Sequence, residues 1–146
     1  MIAELLANKV FLSVFIAWAL AQFAKMHLMI IKKEQKVHLK DIFLTGGMPS
    51  SHSSVVVSLV LILFLTEGIT DLSVLSLVLA LIVIRDAMGV RRTAGEEGKT
   101  INRIIRSVKL KIPERQYALG HTPLEVLVGA IIGIISSLFV YFFISV

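Results

Sequence analysis

The sequence contains no cysteine among its 146 residues. Disulfide bonds and metal sites built on thiolates are therefore excluded, while the redox compartment stays undetermined. The chain also lacks internal repeats and low-complexity segments. Its first apolar run is too long for a signal peptide and is not followed by a small-residue cleavage pattern. We therefore expect this first apolar segment to be retained.

Hydrophobic residues make up 56% of the chain, and they fall in long blocks rather than in periodic stripes. A membrane span needs roughly 20 mostly apolar residues. This pattern predicts an all-α membrane protein, a bundle of about four transmembrane helices plus a cytoplasmic-side amphipathic helix, in a single integral membrane domain covering 1–146. The expected spans are about 10–31, 53–65, 72–88 and 124–146. The second and third are short, which leaves two alternatives: they begin or end inside the polar loops, or they lie in a locally thinned bilayer.

Basic residues are almost absent from one side of the predicted bundle. Four spans place the connections 32–49 and 89–123 on one side, and both termini with the loop 66–71 on the other. Five lysines and arginines lie in or just before the first connection and nine in or just before the second, whereas the other side has only Lys9. Because positive charge is retained in the cytoplasm, we expect a multi-pass protein of the cell membrane, with its termini outside and both basic loops inside.

Residues 99–112 combine basic side chains with apolar residues at helical spacing, namely 101, 104, 105, 108 and 112. We interpret this stretch as an interfacial helix on the anionic inner leaflet. A nucleic-acid-binding helix is the alternative, but no aromatic or motif context accompanies the charge. We therefore predict the lipid bilayer as a partner and no nucleic-acid partner.

The last apolar segment contains Gly129 and Gly133, with Ser137 four residues further on. Small residues at this spacing let helices approach closely. Two uses of this face are open: packing against another span of the same chain, and a homodimer through Gly129 and Gly133.

A polar, glycine-started stretch at residues 46–54 runs directly into the second apolar block. Ser50 or Ser51 can cap a helix there by accepting a hydrogen bond from an unpaired N–H group. His52 then lies in the first helical turn, beside free backbone donors and the positive end of the helix dipole. Such a position suits a phosphate or another anion, and an ordinary loop-to-helix cap is the alternative.

Polar side chains near membrane depth are costly and require an explanation. Here they gather at one predicted membrane face, at the ends of four separate spans. Together they indicate an anion site that also contains acid–base groups. These residues are Lys25, Lys32, His52, Asp86, Arg91, Arg92, Arg115, His121 and Glu125.

Three motifs in this order resemble those of the phosphatidic acid phosphatase type 2 superfamily, which also contains the vanadium haloperoxidases. The superfamily motifs are Lys, six residues, Arg-Pro; Pro-Ser-Gly-His; and Ser-Arg, five residues, His, three residues, Asp. Lys25, six residues and Lys32 match the first, with lysine for arginine and a further lysine for proline. Residues 49–52 match the second with serine for glycine, and residues 114–125 match the third with glutamate at its first and last positions. The stretch 86–92 resembles the small divergent membrane branch in particular.

The resemblance implies a metal-independent phosphatase without a cofactor, acting on a membrane lipid phosphate or pyrophosphate. His121 would attack phosphorus to form a phosphohistidine, and Glu125 would hold the tautomer of its imidazole. His52 would protonate the leaving group and later activate water. The expected phosphate ligands are Lys25, Lys32, Arg91, Arg92, Arg115 and the main-chain N–H groups of Ser50 and Ser51, with Asp86 in a supporting role.

Other interpretations remain open at the level of sequence. A non-catalytic lipid-phosphate or anion binding or transport protein would keep the basic pocket without turnover. A small assembly subunit would depend on the glycine face more than on the histidines. Locally, residues 122–125 also match a capping box, in which Glu125 would bind the backbone rather than His121.

Overall fold

The computed structural model describes residues 4–5, 7–31, 47–114 and 120–144. Within these ranges the chain forms five long α-helices and no β-strand. The all-α membrane fold expected from the apolar blocks is therefore confirmed. The helices are α1 (Lys9–Ile31), α2 (Ser51–Glu67), α3 (Asp71–Met88), α4 (Val90–Val108) and α5 (Pro123–Phe143).

Helix α2 lies at the centre of the bundle and packs against α1, α3 and α5. The other three helices of the bundle contain stretches long and apolar enough to cross a membrane. With 17 residues, α2 is shorter. At a rise of about 1.5 Å per residue it extends about 26 Å, against a hydrocarbon core of about 30 Å. The central helix thus begins close to the membrane face rather than beyond it.

The faces that pack inside the bundle consist mainly of small residues. In α1 they are Ser13, Ala17 and Ala21, one on every fourth position. Large apolar side chains such as Phe23 and Leu75 point outwards instead. Lipid tails are as apolar as leucine, so close approach of small residues, and not hydrophobic exclusion, associates membrane helices. The burial pattern is therefore that of a bundle surrounded by lipid.

Gly129 and Gly133 bring α5 into direct contact with α2. A Cβ atom on Gly129 would overlap the carbonyl oxygen of Ser50, and a Cβ atom on Gly133 would overlap that of Ser54. Of the two uses expected for this glycine face, packing within the chain is the one present in the structure. A homodimer through the same face would require α2 to separate from α5.

Three buried serines from α1, α2 and α5 hydrogen-bond to one another inside the bundle. The Oγ atom of Ser13 lies 2.7 Å from that of Ser58 and 3.1 Å from that of Ser137. Ser137 Oγ also donates to the carbonyl oxygen of Ser58 at 3.0 Å. Such interhelical hydrogen bonds in membranes contribute on average about 0.6 kcal/mol each. Their directionality fixes how these three helices are rotated against each other.

The start of α1 and the end of α5 lie at the same end of the bundle, where Lys9 Nζ is 5.8 Å from the centroid of the Tyr141 ring. The end of α1 and the start of α2 lie at the opposite end. Lys25 and His52 are therefore at that opposite end, together with the connection between α3 and α4.

Helix α4 differs from its predicted extent. The pattern predicted a helix within residues 99–112, whereas α4 begins at Val90 and ends at Val108, before Lys109 in the left-handed conformation with φ 54°. The sequence pattern did not predict this earlier start because Gly95 and Gly98 have low helix propensity. Both glycines are buried positions of α4. The expected amphipathic character is present, because Ile104 and its apolar neighbours form one exposed face.

Candidate active site

The first turn of α2 is anchored by Ser50, whose side chain is fully buried. Its Oγ accepts a hydrogen bond from the N–H of Ser53 at 3.3 Å, the expected helix cap. Its own N–H donates to the carbonyl oxygen of Glu125 at 3.0 Å. The N–H of Ser50, expected to bind a ligand, is therefore already used to tie α2 to α5. The N–H groups of Ser51 and His52 have no carbonyl group one turn earlier in the helix to which they could donate. They are therefore the main-chain donors that this turn can offer to a ligand.

His52 and His121 are neighbours across the bundle end. Their ring centroids are 6.0 Å apart and the ring planes are inclined by 59°. The Nδ1 atom of His52 and the Nε2 atom of His121 are buried and have no hydrogen-bond partner in the described part of the chain. Buried polar atoms are normally paired. Two unpaired nitrogens on adjacent rings therefore indicate a place for a ligand.

His121 is held in a single orientation by two contacts. Its main-chain N–H donates to the carbonyl oxygen of Ala87 at 2.9 Å, and its Nδ1 lies 3.2 Å from Oε2 of Glu125. Because an ionised carboxylate can only accept, Nδ1 carries the proton and Nε2 keeps its lone pair.

The environment of His121 also favours the neutral imidazole. Only 2% of the residue is exposed, and this burial lowers the pKa of His121 below its ordinary value of 6.5. The hydrogen bond to Glu125 acts in the opposite direction, whereas the positive charges of Lys25 and Arg91 add to the lowering of the pKa. At neutral pH the ring is therefore uncharged and can act as a nucleophile through Nε2.

Glu125 fulfils both roles that the sequence had left as alternatives. Thr122 Oγ1 accepts the N–H of Glu125 at 3.3 Å, and the N–H of Thr122 donates to Oε2 of Glu125 at 3.0 Å, which completes a capping box. The same Oε2 atom binds His121. The cap therefore fixes the carboxylate in the position from which it orients the imidazole.

Lys25 brings α1 into the site. It continues the buried face of small residues on α1, and only 5% of it is exposed. Its charge acts on His52, His121 and Glu125, which places the ammonium group in the same cluster. Burial of a charge is costly without compensation. A negative ligand beside the two histidines would supply compensation in addition to that of Glu125.

The two arginines at the start of α4 differ in their surroundings. Arg91 donates from Nε to Asp86 Oδ2, and its charge acts on both His52 and His121. Arg92 instead donates from Nε to Glu96 at 3.1 Å along α4. Arg91 and Asp86 thus form a pair whose charges act at the histidine site, whereas Arg92 is paired with Glu96 instead. Lys32 and Arg115, the remaining expected ligands, lie outside the described residues.

Comparison with known proteins agrees with these motifs and this fold. A family model described as "Divergent PAP2 family" matches residues 6–136. The chain belongs to this family. It is also 35% identical over 156 aligned positions to a Bacillus subtilis (strain 168) protein named "Uncharacterized membrane protein YuiD", covering 96% of this chain and 98% of the relative. No solved structure matches the chain. The resemblance inferred from the three motifs is therefore confirmed at the level of the family.

Two features of this divergent PAP2 protein had not been identified from the sequence. One is the carbonyl oxygen of Ala87, which holds His121; a main-chain acceptor leaves no residue-type signal. The other is Gly120, with φ 23°, where a Cβ atom would overlap the main chain of Arg92. The glycine directly before the histidine of the third motif was the available signal for that close contact.

Proposed function

We propose that this protein is a membrane phosphatase that hydrolyses a lipid phosphate or pyrophosphate through a phosphohistidine intermediate. The observation that carries the proposal is the state of His121, with Nδ1 bound to Glu125 and Nε2 buried without a partner among the described residues. Its neighbour His52 supplies a second titratable group. Membership in the divergent PAP2 family supports a phosphatase-related fold for this arrangement.

In the first step, the lone pair on Nε2 of His121 attacks phosphorus. The bond from phosphorus to the leaving oxygen breaks, and His52 donates a proton to that oxygen. Reacting atoms approach to about 3–3.5 Å and a proton donor to about 2.6–3.2 Å, so the two rings must be close enough to flank a single phosphoryl group. The centroid separation of 6.0 Å is compatible with this requirement.

In the second step, His52 removes a proton from a water molecule whose oxygen attacks the phosphohistidine. The bond between phosphorus and Nε2 breaks, its electron pair returns to His121, and inorganic phosphate leaves. While the imidazole is phosphorylated it carries positive charge, and the carboxylate of Glu125 stabilises that charge. Two easier steps replace one difficult displacement.

Positive groups around the rings would bind the phosphoryl oxygens. Lys25 and Arg91 supply charge from α1 and α4, and the N–H groups of Ser51 and His52 supply donors at the start of α2. Donors placed in advance stabilise the charge that develops in the transition state. Lys32 and Arg115 remain proposed ligands on the strength of the motifs.

The location of the site supports a lipid substrate. The cluster lies at one end of a bundle whose outer surface is apolar, so a headgroup anchored in the adjacent leaflet can reach it without leaving the membrane. The distribution of basic residues supports the cytoplasmic leaflet, with both termini outside.

The test is phosphohistidine trapping and phosphate release with the purified full-length protein and labelled lipid phosphates, with and without vanadate. His121→Ala is expected to abolish both the trapped intermediate and turnover. His52→Ala is expected to slow turnover by roughly 10²- to 10⁴-fold, the usual contribution of a general acid–base group. His27→Ala is the matched control, because His27 is an exposed residue of α1.

Full turnover in both site variants would refute the proposal. Tight binding of a lipid phosphate without product, in a protein that yields no phosphohistidine, would establish instead the non-catalytic binding or transport protein. Melting temperatures of all variants in detergent micelles separate these outcomes from loss of the fold.

A further inference from the structure

Helices α3 and α4 meet at a corner formed by Gly89, whose backbone angles of φ −99° and ψ −98° depart from those of an α-helix. The N–H of Gly89 donates to the carbonyl oxygen of Arg85 at 2.9 Å, and a Cβ atom at this position would lie 2.9 Å from the same oxygen. This separation is too short for a side chain. The corner brings the last turn of α3 beside the first turn of α4, where Arg91 meets Asp86.

The same corner holds the loop that carries His121. The carbonyl oxygen of Ala87, the residue after Asp86, accepts the N–H of His121 at 2.9 Å. Gly120 packs against the main chain of Arg92, the residue after Arg91, so closely that a Cβ atom would overlap it. The Asp86–Arg91 pair is therefore fixed relative to His121 through main-chain contacts on both sides of the corner.

The ion pair occupies only part of the guanidinium group of Arg91. Its Nε–H is bound by Asp86, which leaves the two terminal nitrogens as donors in the plane of the fork. A fork of this kind binds two oxygens of a phosphate at once, whereas a lysine acts as a point charge. The first motif of this chain has Lys32 where the superfamily has arginine, so the motif itself provides no such fork.

We propose that Arg91 supplies the bidentate phosphate ligand missing from the first motif, and that Asp86 is a positioning residue that holds Arg91 beside the histidine pair. This inference rests on the proposed function. It also assigns roles to three further residues of the stretch 86–92: Asp86 orients Arg91, Ala87 anchors His121, and Gly89 makes the corner. Arg92, which pairs with Glu96 along α4, is not part of the proposed ligand set.

Binding of orthovanadate, measured by calorimetry on the full-length protein in micelles, tests the inference apart from turnover. Arg91→Lys is expected to raise the dissociation constant roughly tenfold to a hundredfold, the effect of losing a charge-assisted hydrogen bond. Arg92→Lys, the matched variant one residue away, is expected to raise it by a clearly smaller factor. Asp86→Asn is expected to weaken vanadate binding. Asp86→Glu, which keeps the carboxylate, is expected to bind vanadate more tightly than Asp86→Asn does.

A double-substitution cycle distinguishes positioning from a purely structural role. If Asp86 acts through Arg91, adding Asp86→Asn to Arg91→Lys causes little further loss, because coupled residues are non-additive. Additive losses, or equal losses in Arg91→Lys and Arg92→Lys, would overturn the inference while leaving the phosphatase proposal in place. A wild-type protein that neither binds vanadate nor releases phosphate would overturn both.

Discussion

The Oε2 atom of Glu125 lies 3.2 Å from Nδ1 of His121 and, at the same time, accepts the N–H of Thr122 at 3.0 Å. One carboxylate oxygen therefore caps α5 and orients the imidazole. Because the capping box with Thr122 holds the Glu125 side chain in place, the carboxylate that orients His121 is not free to rotate.

Glu125→Gln keeps the shape of this side chain and removes its charge. Glu125 raises the pKa of His121 against the effect of burial, so loss of the charge lowers that pKa further. Since the nucleophile must be unprotonated, the acid limb of phosphohistidine formation is expected to move to lower pH. The maximal rate is expected to fall by up to roughly 10⁴-fold, as when the orienting carboxylate of a serine protease triad is replaced by an amide.

Single-turnover quench measurements across pH check both effects, and Thr122→Ala is the control. That change removes the Oγ1 cap and is expected to cost about 0.5–2 kcal/mol of stability, but it leaves Glu125 on His121 and the acid limb in place. An acid limb that stays unchanged or moves to higher pH in Glu125→Gln would contradict this assignment.

Gly129→Ala is expected to destabilise the protein by about 1–3 kcal/mol, the usual cost of overpacking. The new methyl group would overlap the carbonyl oxygen of Ser50 and push α2 from α5 beside the histidines, so activity is expected to fall as well. Unfolding in mixed detergent micelles measures the loss. Ile131→Ala, on the lipid-facing side of the same helix, serves as the control, and equal stability of Gly129→Ala and wild type would rule out this contact.

The orientation of the bundle can be tested with single cysteines, because the chain has none of its own. Ile69, 85% exposed in the loop between α2 and α3, is predicted to face outwards, and Arg103 on α4 to face the cytoplasm. In intact cells, a membrane-impermeant maleimide should label Ile69→Cys and spare Arg103→Cys. Inverted vesicles should show the reverse, and the opposite pattern would place the site on the outer face.

The apolar face of α4 is predicted to lie in the membrane surface. Ile104 is 51% exposed, while Arg103 lies on the basic side of the helix, and the stretch 99–112 contains five basic and no acidic residues. In anionic vesicles, a fluorophore on Ile104→Cys should be quenched by brominated acyl chains, and the same fluorophore on Arg103→Cys should not. Equal quenching at both positions, or none at Ile104→Cys, would show that the bilayer does not cover this face.

Local sequence patterns were sufficient to predict the class of the protein and to identify His52 and His121 as candidate site residues. Apolar blocks of the length of a membrane span predict transmembrane helices whatever their packing, and the spacing of residues 49–52 places His52 at the start of α2. The start of α4 was missed because glycine propensity concerns an isolated helix, whereas Gly95 and Gly98 are buried against neighbouring structure. Tertiary packing overrides such a propensity.

By itself, then, the sequence determined a helical membrane bundle of the divergent PAP2 family, with most of its basic groups and with His52 and His121 at one end. Only the tertiary structure decided that the charge of Arg91 acts on His52 and His121 while Arg92 pairs with Glu96. It also decided that the N–H of Ser50 is occupied by Glu125 and that the glycine face packs within the chain. The physical reason is that residue type and spacing report what lies along one helix. Several contacts between helices at this site are made by main-chain carbonyl and N–H groups, which residues of almost every type carry and which only the packed fold can pair.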